Sequence, residues 1–112
     1  MNTVDAGLTK ARRIRVLNDN FRATFLGGRV VMTAGVAELA LGTRAQVVLK
    51  VQNFADFNAD NDPYGEHDFG TFEVAGETFF WKIDLYEEPG VKDANGEPVV
   101  TRVLTLMLAE EY

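Results

Sequence analysis

The sequence predicts an α+β fold in two layers: an antiparallel β-meander of about four strands with two helices on one face, in the order α-β-α-β-β-β. Three observations lead there. Apolar residues recur every three or four positions through the first 25 residues, the period of a helix stripe. From Gly70 onward they alternate along the chain, the period of a strand. Short turns at Ala75-Gly76-Glu77 and Asn95-Gly96 join the alternating runs, which suits hairpins and leaves no room for crossover helices. With 112 residues, 46% of them apolar and 11% aromatic, we expect a single globular domain over 1–112 with its own core.

The elements follow in order. Leu8, Ala11, Ile14, Leu17, Phe21 and Phe25 form the stripe of a helix from about residue 5 to 25. Lys10, Arg12, Arg13, Asn20 and Arg22 lie on its polar side, and Gly27-Gly28 supplies the stop. Arg29 to Thr33 is a short β-branched strand, and residues 36–42 hold at most one helical turn. Residues 44–57 fit both periods. Their length without Gly or Pro and the N-cap residue Thr43 favour a helix. Asn58 to Asp68 is loop by composition. Gly70, Phe72 and Val74 mark a strand, and Phe79, Trp81, Ile83 and Leu85 mark the clearest one, with Phe80, Lys82, Asp84 and Tyr86 on its other face. Residues 87–98 read as a loop, and the last strand alternates through Val100, Arg102, Leu104, Leu106 and Leu108.

Composition removes much chemistry. Without cysteine there are no disulfides, thiolate nucleophiles or Cys-ligated zinc. Without serine there is no Ser-His-Asp triad. One histidine cannot build the zinc sites that need two or three, so any metal site would be carboxylate-rich and suited to magnesium, calcium or manganese. No apolar run is long enough for a membrane span, and no signal segment is read, so the expected setting is cytoplasmic. The net charge of −6 divides into +4 over residues 1–30 and −10 over residues 31–112. The plain reading is a basic helix near an acidic sheet. Overall acidity opposes attraction to nucleic acid, which we do not expect as a partner.

The segment Asn61-Asp62-Pro63-Tyr64-Gly65-Glu66-His67-Asp68-Phe69-Gly70 gathers the single histidine, acids, glycines, a proline and two aromatics. Such shaped polar loops often carry function. Together with Ile14 to Arg22, Gly28 to Val36, Phe80-Trp81-Lys82-Ile83-Asp84 and Thr101 to Ala109, this segment resembles a bacterial family of small uncharacterised proteins, domain of unknown function 3768. The resemblance implies a helix across 44–57. It also implies a setting on proteobacterial plasmids and other mobile elements, near accessory and antirestriction-type genes, and no settled activity.

Each constellation has a functional and a plain reading. Asp56, Asn58 and Asp60 open with calcium-loop spacing, but Asn61 and His67 stand where that loop needs Gly and Glu. Asx-turns are the plainer use of these side chains. An irregular magnesium or calcium site on Asp60, Asp62 and Asp68 is the alternative. Glu66-His67-Asp68 invites acid/base chemistry, yet adjacent extended residues point to opposite sides. The plain role of His67 is to tie the loop to a neighbouring strand by hydrogen bonds. Lys82 and Asp84, between Phe80 and Tyr86, would floor a pocket walled by the loop or form an ion pair on a half-exposed sheet.

The leading expectation is a non-enzymatic protein-binding accessory module, with an anti-defence role from gene neighbourhood. It has a protein partner and no cofactor, and it binds through Asp60, Asp62, Tyr64, Glu66, His67 and Asp68. The competitor is a metal-dependent hydrolase of phosphate esters. There Asp60, Asp62 and Asp68 are ligands, His67 is the acid/base with Glu66 beside it, and Lys82 with Asp84 supplies charge. A small-molecule sensor using the Phe80/Lys82/Asp84/Tyr86 face is the third.

Overall fold

The computed structural model describes residues 6–112, with side chains from residue 10. The expected helix start at residue 5 and the Leu8 side chain lie outside what is described. The chain runs α1 (Ala6–Thr24), β1 (Arg29–Met32), α2 (Ala34–Ala37), α3 (Leu41–Gln52), β2 (Phe69–Val74), β3 (Glu77–Lys92) and β4 (Pro98–Leu108). It closes with a 3-10 turn (Ala109–Glu111). The class is α+β, with a four-stranded sheet in the order β1-β4-β3-β2. β2, β3 and β4 form the expected antiparallel meander. β1 joins parallel to β4, Val30 beside Leu104 and Met32 beside Leu106, so the sheet is mixed and not a strict meander. The helical segment between β1 and β2 lets the chain return to the same sheet in the same direction.

Strand alternation assigns the faces. Phe79, Trp81 and Ile83 of β3 lie beside Leu106 and Leu104 of β4 and beside Val30, Met32, Phe72 and Val74 of the outer strands. Phe21 of α1, Val36 of α2 and Val47 and Val51 of α3 cover them. Burying each of these large side chains stabilises the fold by roughly 1.5–3 kcal/mol. The opposite face carries Phe80, Lys82, Asp84, Tyr86, Val103, Thr105 and Phe69, and the core residues of α1, α2 and α3 pack on the other side. There Phe80 packs edge-on against Phe69 and Tyr112, and Lys82 pairs with Asp84 at 3.2 Å.

Several expected boundaries move, each for a local reason. α1 ends at Thr24 because Phe25 takes the left-handed conformation (φ 60) and its N–H donates to the Phe21 carbonyl, two residues ahead of the expected Gly27 stop. α3 starts after Ala40, not Thr43, with Arg44 N–H on the Ala40 carbonyl. It ends at Gln52 and not at residue 57: the last turn tightens, with the Phe54 N–H donating to the Val51 carbonyl three residues back. The hairpin arm is longer than the expected loop at 87–98. β3 runs to Lys92, with an irregular register between Glu87 and Lys92 around Pro89-Gly90, and only residues 93–97 form the turn. At the β2–β3 turn, Ala75 (φ 53) and Gly76 (φ 78) both take positive φ, as a two-residue hairpin of the observed twist requires.

The C-terminal turn is clamped by Glu111. Its carboxylate accepts from Thr33 Oγ1 at 2.6 Å, Gly35 N at 3.0 Å and Leu108 N at 2.9 Å. These three donors hold its pKa below the usual Glu value, the Thr33 bond most strongly. Thr33 makes no side-chain cap of its own to α2, and Glu111 caps the helix from the far end of the fold.

Candidate functional site

The loop from residue 55 to 68 is built by its own side chains. Asn58 Oδ1 accepts from the N–H of Asp60 at 2.8 Å and of Asn61 at 3.1 Å. In return the Asn58 N–H donates to Asn61 Oδ1 at 2.8 Å, and Asn61 Nδ2 donates to the Asp56 carbonyl at 2.8 Å. These are Asx-turn geometries, the plain use expected of this Asn/Asp spacing. The Asp62 carboxylate reaches five residues ahead to accept from His67 N at 3.0 Å. Gly65 (φ 68) and His67 (φ 54) both sit in the left-handed region, so the chain doubles back sharply at Glu66. That turn throws the His67 ring inward and leaves Tyr64 standing out at 79% exposure.

His67 is enclosed on three sides. The expected tie to a strand goes to a helix instead: Nδ1 lies 2.8 Å from Asp19 Oδ1 on α1, and Nε2 lies 3.5 Å from Asp62 Oδ2 within the loop. An ionised carboxylate only accepts, so Nδ1 carries the hydrogen in this contact. The ring stacks on Phe57 with centroids 3.7 Å apart and planes 3° from parallel. The guanidinium of Arg22 lies 5.3 Å from the Phe57 ring centroid and 5.1 Å from that of Trp81. Arg22 also donates to Asp19 Oδ1 at 3.0 Å and to the Phe54 carbonyl at 3.1 Å. Arg22 is 5% exposed, and its Nε has no hydrogen-bond partner; the two ring contacts offset part of its desolvation. One carboxylate oxygen of Asp19 therefore joins α1, the loop histidine and the buried arginine.

A second tie runs through Asn18, only 1% exposed. Its amide donates to the Glu66 carbonyl at 2.9 Å and accepts from Arg102 Nε at 3.0 Å, connecting the loop, α1 and β4. Partial burial lowers the Arg102 pKa from its ordinary value. Gly70 completes the seat. Its backbone lies directly under the Trp81 indole, and an added Cβ would overlap Trp81 Nε1 and lie 2.7 Å from Phe54 Cζ.

The sequence-predicted residues divide. His67 and Asp62 are brought together on the helix side. Glu66 contributes its carbonyl to the Asn18 tie. Asp60 and Tyr64 stand exposed on the rim. Asp68 bonds through its carbonyl to Ile83 N at 2.8 Å at the sheet margin. Burial raises the Asp68 carboxyl pKa, and the charges of Asp62 and Asp84 add to that. Lys82 and Asp84 pair with each other on the open face, and this contact raises the Lys82 pKa. Because Trp81 faces His67's side of the sheet, its neighbour Lys82 faces away, and the structure does not assemble His67 with Lys82 and Asp84. Among the described residues no three His, Asp or Glu side chains converge in a metal-holding group. No helix among them is long and apolar enough to cross a membrane.

Sequence reading missed Asn18, Asp19, Phe57 and Arg102 as partners of the loop, and it placed Arg22 on the polar face of α1. A signal was present. The buried stripe of α1 runs through Asn18, Phe21 and Arg22, while Leu17, expected in the stripe, is 50% exposed. An amide at stripe spacing marks a tertiary hydrogen bond more often than a solvent position.

Residues 32–111 match the family model described as protein of unknown function, DUF3768. That span holds α2, α3, the loop and the β2–β4 meander; α1, with Asn18, Asp19 and Arg22, precedes it. No curated protein and no solved structure matches the chain.

Proposed function

The chain belongs to the domain of unknown function 3768 family, and from that premise we propose that it is a non-enzymatic protein-binding accessory module whose contact surface is the rim of the loop. One observation carries this reading: both ring nitrogens of His67 face carboxylates and its ring is covered by Phe57, while Tyr64 beside it stands free. A general acid or base needs a nitrogen within reach of a substrate proton. His67 instead positions the rim. Tyr64 is an amphipathic aromatic anchor of the kind that dominates binding energy, and Asp60, Glu66 and Asp68 around it steer a basic partner. Asp62 is engaged on both carboxylate oxygens by His67, so a cation at Asp60, Asp62 and Asp68 would have to displace both contacts. The accessory and anti-defence setting on a bacterial mobile element follows from the resemblance alone, and the cytoplasmic setting is a reading of the sequence.

Capture from a proteobacterial host lysate, with wild type beside a Tyr64→Ala/Glu66→Ala variant, tests the proposal. A partner held by wild type and lost by the variant is expected. Identical partner sets would sink it. Calorimetric titration with magnesium, manganese and calcium separates the hydrolase reading, which requires binding at millimolar metal or below.

A further inference from the structure

β2 is an outer strand of the sheet, and its free margin opens beside a cleft. The Ile83 N–H to Asp68 carbonyl bond and the two-residue turn at Ala75-Gly76 fix which β2 residues bond to β3: Asp68, Gly70, Phe72 and Val74. The N–H and C=O groups of Phe69, Thr71 and Glu73 therefore point outward and have no backbone partner among the described residues. Outer strands are commonly blunted by Pro, Lys or a bulge. β2 has none of these: its register with β3 is regular over six pairs, and Glu73 is its one charge. Beside it, between α3 and β2, lies a cleft of about 800 Å³ lined by Leu49, Phe54, Phe72 and Val74 together with Lys50, Asp56 and Glu73. Leu49 is 57% exposed there.

We propose that this strand margin and cleft bind an extended basic peptide of another protein as an added fifth strand. The outward backbone groups require an extended partner. Alternation then places every second peptide side chain in the apolar cleft and the others on the open face, beside Glu73. Charge selects the class. The cleft lining carries two acids against one lysine, within a chain of net charge −6. Basic residues on the open-face side are favoured, and self-pairing of two acidic copies is opposed. The site involves neither Tyr64 nor Glu66, so it stands or falls separately from the loop rim.

A fluorescein-labelled six-residue peptide alternating lysine and valine is the probe, read by anisotropy against the full chain. The added strand runs antiparallel to β2, where residues opposite Thr71 and Glu73 share their face and exchange both backbone hydrogen bonds with them, so the paired residues are the lysines. N-methylation at lysine should weaken binding by about tenfold or more, whereas N-methylation at valine should leave it within about threefold. Replacing the lysines by glutamates should also cost about tenfold. Thr71→Pro removes one outward N–H without touching the β3 ladder, and Leu49→Glu alters only the cleft surface; each should weaken binding by about tenfold. Near-UV circular dichroism of Trp81 checks that both variants fold. Equal binding of the lysine-methylated or glutamate peptide would overturn the proposal, as would no anisotropy change at millimolar chain. A concentration-dependent dimer abolished by Thr71→Pro would assign the margin to a second copy and also overturn it.

Discussion

Replacing Asp19 by Asn tests whether the loop is held by charge at α1. Asp19 Oδ1 accepts from Arg22 at 3.0 Å and meets His67 Nδ1 at 2.8 Å. The Arg22 side chain is 6% exposed and that of Asp19 is 36%. Asn preserves the shape and one acceptor oxygen and removes the charge. A hydrogen bond to a charged group contributes about 1.5–3 kcal/mol, and breaking a fully buried pair costs about 3–5 kcal/mol. Water reaches the Asp19 side, which moves the expected loss to about 2 kcal/mol. For a domain of this size that corresponds to a fall in Tm of roughly 10 °C. Thermal unfolding followed by Trp81 is the assay, because the indole is fully buried and packs 5.1 Å from the Arg22 guanidinium. His67→Ala in the Asp19→Asn background should add less than it does alone, by at least about 0.5 kcal/mol. A Tm within about 2 °C of wild type, or strict additivity, would refute the view that Asp19 is the hub.

Three further outcomes follow from the same geometry. Gly70→Ala drives a methyl group into the Trp81 indole and Phe54, and urea unfolding should show a loss of about 3 kcal/mol. Asp68 has a raised folded pKa, so it favours the fold when protonated, below its ordinary 3.8, and that contribution is lost as pH rises through the folded value. Asp68→Asn should therefore raise Tm at pH 7 by about 1–2 °C and change little near pH 3. Glu111 has a depressed folded pKa, so its contribution is present above its ordinary 4.5 and lost as pH falls through the folded value. Glu111→Gln should lower Tm at pH 7, and the difference from wild type should shrink on acidification.

The class, the four strands and the β2–β4 meander were legible because alternation has a fixed period and hairpin turns have few sequence solutions. The parallel docking of β1 was not legible: its four residues carry no mark of whether their neighbour runs alongside or against them. Helix ends shifted where the backbone left the helical pattern, as Phe25 does at φ 60 and Phe54 does by bonding the Val51 carbonyl. In the site, the inward turn of His67 and the Asx-turns were readable from residue type. Its partners were not, because Asp19 lies 48 residues away and only tertiary packing selects one polar residue of α1 over its neighbours.

The pairing of β1 with β4 and the capping of α2 by Glu111 have a consequence for biosynthesis. Both elements near residue 30 depend on partners more than 70 residues downstream. While the ribosome is still making β3, β1 has no neighbour and the first turn of α2 lacks its acceptor. The nascent chain can close the β2–β3 hairpin early, but the sheet is completed only after β4 emerges. Such non-local closure slows folding and leaves open strand margins exposed in the interim. Chaperone dependence during synthesis should therefore centre on the Arg29–Met32 segment.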